Sequence, residues 1–123
     1  MKIFTTYFGY LRKLPNSIIP ISVATKPIPG WTGYSYNPLA PGWNIWKIGK
    51  NLGWEIFKET YNKEILGKLN PYEVLKDLSE LSGGNDIALV CYEKPGDNCH
   101  RHLIADWLPC EVIEYNPQNL ISV

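Results

Sequence analysis

A small, single-domain α/β fold of Rossmann-like, three-layer type with a mainly parallel sheet is predicted by three features of the sequence. Helical and strand patterns alternate through the second half of the chain. The run DIALVCY, residues 86–92, is short and continuously apolar. Lying between two helical patterns, it fits a strand buried on both faces of a parallel sheet. The whole chain is 123 residues long, enough for one modest core, so residues 1–123 read as one domain.

The elements follow in order. Lys2 to Phe8 is rich in β-branched and aromatic residues and reads as the first strand. Residues 18–24, IIPISVA, give a second strand, which Pro20 places near its start or at a sheet edge. Thr25 to Asn44 is dense in Pro, Gly and aromatic rings and keeps no period, so it reads as a long ordered loop, a type that is often functional. Trp54, Phe57, Tyr61 and Ile65 mark one face of a helix, with Gly67 as a plausible terminator. The next helix has Asn70 as N-cap, Pro71 at its first position, Glu73 at its third, and Gly83–Gly84 as its stop. A last helix starts at about Cys99, with Leu103, Ile104, Trp107 and Leu108 on its apolar face. Pro109 ends it, and CEVIEY supplies a final strand.

Composition narrows the function classes. Twelve basic residues balance twelve acidic ones, which argues against duplex nucleic acid as a partner. No stretch has the length or apolarity of a membrane span or a signal peptide. Three cysteines, Cys91, Cys99 and Cys110, fit reduced thiols in a cytoplasm better than a disulfide framework.

The informative segment is CYEKPGDNCHRHLIADWL, residues 91–108. Arg101 falls in the first turn of the last helix, where a cation opposes the helix dipole unless something negative offsets it. Glu93 or Asp97 would do so internally, and a bound phosphate or carboxylate would do so from outside. The loop also follows the carboxyl end of a parallel strand, where ligands bind in such sheets. The expectation is therefore an anion site formed by Arg101 and the backbone at Cys99 to Arg101. A structural Arg101 paired with a carboxylate is the alternative. Cys99 at a helix start beside His100 is also a candidate nucleophile with an imidazole base, or else a small buried thiol. Zinc ranks lower: the cysteines and histidines are suitable ligand types, but no C-x-x-C spacing is present. No metal and no cofactor are expected.

The same block, LVCYEKPGDNCHRHLIADWL, resembles the C-terminal signature of the DUF488 family, in which a strand ending in Cys leads through an acidic loop to Cys-His-Arg and a helix. The Thr/Tyr-bearing first strand, SVATKPIPGW after the second strand, and the helix around Tyr61 extend the likeness. The resemblance implies a Rossmann-like fold and the location of a site, but no reaction. Many members carry an Asp-Val-Arg type sequence where this chain has Ser22 to Lys26, so Lys26 stands in for the positive charge and the acid is missing.

These readings converge on a small anionic or nucleotide-like ligand, as in a protein that sequesters a signalling nucleotide. Arg101, Cys99, His100, Lys26 and Glu93 are its expected contacts, and Trp31, Tyr34, Tyr36 or Trp43 would cover its base or sugar. An enzyme using Cys99 or His100 on such a ligand, and an interaction module gripping another protein through the aromatic loop, are the alternatives.

Overall fold

The computed structural model describes residues 1–117. Five strands form one sheet: β1 (Ile3–Tyr7), β2 (Ile18–Ser22), β3 (Tyr34–Ser35), β4 (Asp86–Cys91) and β5 (Val112–Glu114), in the order β3-β2-β4-β1-β5. Every pairing is parallel. The predicted α/β class is what the chain adopts, with parallel geometry throughout.

β4 is central because its sequence suits no other position. All of Ile87 to Cys91 is buried, with β1 on one side and β2 on the other. Tyr7 stands opposite Cys91, and Ser22 opposite Val90, so all three strands end at about the same level. β3 pairs only with Ile21 and Ser22 among the described residues, so Pro20, which has no N–H to give, lies short of that ladder.

Among the described residues the α-helices are four: α1 (Gly42–Leu52), α2 (Trp54–Glu64), α3 (Pro71–Ser82) and α4 (His100–Trp107). α3 begins as its sequence predicts. The Asn70 side chain accepts from the backbone N–H groups of Tyr72 and Glu73, at 2.9 and 3.4 Å. Gly83 ends it, and Val74 and Leu78 face the core. α1 is the element the sequence did not announce. The stretch read as a loop to Asn44 turns helical at Gly42, and only Gly53, at φ 93°, separates α1 from α2. That backbone conformation is one L side chains rarely adopt, so Gly53 makes the corner possible. The two helices then pack so closely that a Cβ on Gly49 would lie 2.7 Å from the Phe57 ring.

The N-cap of α3 is open to test. Asn70→Ala removes the only side-chain acceptor at that helix start and should cost about 1 kcal/mol. Denaturant melts of wild type and variant check it, and an unchanged midpoint would show that water replaces the cap fully.

Candidate functional site

Beyond the carboxyl ends of β2 and β4 lies a cleft of about 540 Å³, within the range that holds small ligands. Its floor comes from the strand ends and the start of α4: Ala24, Cys91, Cys99 and His100. Thr25, Lys26, Tyr92 and Glu93 form the rim. The facing wall is α1 and α2, which contribute Trp43, Trp46, Lys50 and Trp54. Two hydroxyls fasten these parts together. Thr25 Oγ1 accepts from the Gly42 N–H at the head of α1 (3.0 Å), and the Tyr92 hydroxyl donates to the Lys26 carbonyl (2.6 Å).

The wall is aromatic and charged. Trp43 and Trp46 meet edge-on at 5.7 Å, and the Lys50 ammonium sits 5.2 Å from the Trp46 ring. A series of rings runs inward from the wall. Trp54 stacks on Phe57, Phe57 on Tyr61, and Tyr61 meets the His100 imidazole edge-on at 5.4 Å.

His100 is buried, and its Nε2 lies 2.7 Å from the Val23 carbonyl. A carbonyl only accepts, so Nε2 carries the hydrogen and Nδ1 keeps its lone pair. Nδ1 is 3.9 Å from Cys99 Sγ. Burial pushes the imidazole pKa down to about 4, and the Arg101 charge adds to this, against the Val23 hydrogen bond. His100 is therefore neutral at neutral pH. Cys91 and Cys99, at the ends of the intervening loop, are joined as a disulfide, which corrects the expectation of reduced thiols for this pair: the loop folds back and brings the two sulfurs together. Cys110 is exposed and apart from them.

The structure relocates several expected ligand contacts. Arg101 is fully buried and does not line the cleft. Its Nε and Nη2 donate to the Glu114 carboxylate, with Nη2 2.8 Å from Oε2. Its Nη1 reaches the Glu93 carbonyl and, at 3.3 Å, Cys91 Sγ. Among the described residues every buried side-chain nitrogen and oxygen has a partner, so each of the three guanidinium nitrogens is engaged inside the protein. The expectation of Arg101 as an anion ligand is corrected: the charge at the helix start is offset from inside, by a carboxylate on β5. Trp31, Tyr34 and Tyr36 are also absent from the cleft lining. Trp31 packs edge-on against Phe8 and donates to the Tyr34 carbonyl. Tyr36 donates to Asp77 of α3 at 2.6 Å, and burial with that carboxylate raises its pKa. Cys99, His100, Lys26, Glu93 and Trp43 do meet in the cleft.

Trp46, Lys50 and Trp54 are the lining residues that the sequence reading passed over. Their signal was present as the i, i+4 spacing of Trp46 and Lys50, but the Pro- and Gly-rich approach obscured the helix that carries it.

A family model described as "Active DUF488-N3 subclade" matches residues 11–111. The chain belongs to the DUF488 family. Neither the curated proteins nor the solved structures yield a match. The matched region contains both cysteines of the cleft floor, His100, and the whole aromatic wall, so the cleft lies in the part of the chain that defines it as a DUF488 protein.

Loss of the Arg101–Glu114 pair should be expensive. Arg101→Ala leaves the Glu114 carboxylate partly shielded and without its counter-charge. The expected loss is roughly 3 kcal/mol, the low end for a broken buried pair because Glu114 keeps some solvent contact. Denaturant melts read it directly, and a change below about 1 kcal/mol would make the pair energetically idle.

Proposed function

We infer that this DUF488 protein binds a phosphate-bearing, nucleotide-like ligand in the cleft between α1–α2 and the ends of β2 and β4. One observation carries the reading: two ammonium groups, Lys26 and Lys50, share a cleft of ligand size with three tryptophans, Trp43, Trp46 and Trp54. Indole faces stack on planar rings and tolerate any base. Lysines are compact point charges suited to phosphate. With Arg101 committed to Glu114, the anion falls to Lys26 and Lys50. Glu93, on the same rim, is placed to accept from a sugar hydroxyl or an exocyclic amine.

Turnover of that ligand is a second reading, favoured by Cys99, whose sulfur lies 3.9 Å from a neutral imidazole Nδ1 and is a thiol once its bond to Cys91 is reduced. The description of the matched subclade as active points the same way. A thiol that attacks needs a base near it and a fixed orientation of that base, which the Val23 carbonyl supplies through Nε2. No helix among the described residues is long and apolar enough to cross a membrane. A cytoplasmic setting belongs to this proposal, since reducing conditions there would return the joined Cys91 and Cys99 to the thiols that turnover needs.

Titration with nucleoside mono-, di- and triphosphates, beside orthophosphate and free nucleosides, tests the reading. At least one nucleotide should raise the melting temperature and quench tryptophan fluorescence. Trp46→Ala should weaken it by roughly five- to a hundredfold, the worth of one base–aromatic stack. Lys50→Ala should weaken nucleotides more than nucleosides. If no nucleotide shifts the melt at millimolar concentration, the reading is wrong.

A further inference from the structure

The cleft floor holds three side chains whose ligand atoms converge. Cys91 Sγ, Cys99 Sγ and a ring nitrogen of His100 all lie within 4.8 Å of one another, and all three residues are buried. They nevertheless line the cleft, so the point between them is reachable from it. In sequence the cysteines are eight apart, which conceals the arrangement. In the fold, β4 ends at Cys91, the loop 92–98 doubles back, and Cys99 caps α4 beside it.

We propose that Cys91, Cys99 and His100 bind a zinc ion whose fourth coordination position opens into the cleft. The donor set is right: two thiolates and an imidazole suit zinc, and three protein ligands with one open position is the pattern of catalytic rather than structural zinc. Zinc bonds of about 2.3 Å to sulfur and 2.0–2.1 Å to nitrogen put ligand atoms roughly 3.5–3.8 Å apart in a tetrahedron. The Cys99–His100 separation of 3.9 Å is already close to that.

Two surrounding contacts point to the same use. A metal-bound histidine donates its remote N–H to a carbonyl or carboxylate, which sets the tautomer and aims the free lone pair. His100 does this with the Val23 carbonyl, and the nitrogen left free is the one that faces Cys99. Arg101 Nη1, 3.3 Å from Cys91 Sγ, orients that sulfur and offsets thiolate charge. Cys91 and Cys99 are joined in the structure, so reduction of that bond by a cellular thiol comes first, giving the two thiolates that hold the ion. The backbone leaves room for it: their Cα atoms are 7.7 Å apart, wider than the roughly 4.4–6.8 Å usual for a disulfide, so the freed sulfurs can part around zinc.

When bound, the ion supplies a Lewis acid and a site for water or a ligand oxygen at the floor of the cleft. Cys99 is then a ligand and not an attacking group, so the zinc site competes with the thiol-nucleophile reading. It does not rest on nucleotide binding, because metal content is measured with no nucleotide present.

The test is elemental analysis of protein purified under reducing conditions, without chelator and without metal-affinity resin. About one zinc per chain is expected. Cys110→Ser should keep it, and Cys99→Ala and His100→Ala should each bind zinc at least about tenfold more weakly and lose most of it on purification. Should those variants fail to fold, wild-type protein stripped by chelator and given cobalt provides a second reading. It should develop the intense visible bands and thiolate charge-transfer absorption of tetrahedral cobalt, while Cys91 and Cys99 become slow to alkylate. Three results would overturn the proposal: substoichiometric zinc with no cobalt spectrum, zinc retained equally by folded Cys99→Ala, or a Cys91–Cys99 disulfide found by mass spectrometry in the reduced-handled protein.

Discussion

The buried Arg101 guanidinium is the constraint around which the functional end of the molecule is arranged. Its three nitrogens touch three groups: the Glu114 carboxylate on β5, the Glu93 carbonyl in the loop after β4, and the sulfur of Cys91 at the end of β4, while its own backbone belongs to the first turn of α4. Thr5 of β1 adds a hydroxyl to the same carboxylate at 2.6 Å. Three neighbouring strands and a helix are thus registered against one planar cation, whose fork of donors admits only one geometry. Burying a charge this way brings little net stability and much positional definition. The definition is spent on the loop 92–98, which must bring Cys99 back to Cys91.

From that anchored corner the chain builds outward in a consistent order. The strand ends fix Val23, and Val23 fixes the His100 ring through its carbonyl. His100 meets Tyr61, which is itself held by a 2.6 Å bond from its hydroxyl to the Leu39 carbonyl. Tyr61 carries the stack through Phe57 to Trp54 at the cleft wall. Polar contacts set the deep part, and ring packing sets the outer part. This gradient matches the chemistry of each zone, since directional bonds hold reactive atoms to a fraction of an ångström while stacked faces accept ligands of varied outline.

Much of the fold was legible because its signals are local. Asn70, Pro71, Glu73 and Gly83 each act within a few residues of themselves, and the DIALVCY run carries its own burial pattern. A cleft does open beyond the carboxyl end of that strand, the place to which the sequence pointed. What eluded sequence reasoning was long-range. Nothing in the loop around Arg101 reveals that its partner is Glu114, thirteen residues later on another strand. The seven residues between Cys91 and Cys99 look unlike any metal-ligand spacing until the loop closes them. α1 escaped notice because Pro41 and Gly42 at its head resemble the loop before them, and because its rings cover a cleft instead of entering the core.

That last point has a further consequence. α1 buries none of its own residues, and it joins α2 through the single corner at Gly53. Trp43, Trp46 and Lys50 can therefore be exchanged at small thermodynamic penalty, whereas Cys91, His100 and Arg101 sit where almost any replacement disturbs the packing of the sheet. The molecule is divided into a lining free to drift and a floor that is not. Substitutions on one exposed helical face therefore reshape the cleft wall without touching the sheet, whereas a change at the floor reaches the packing of the strands.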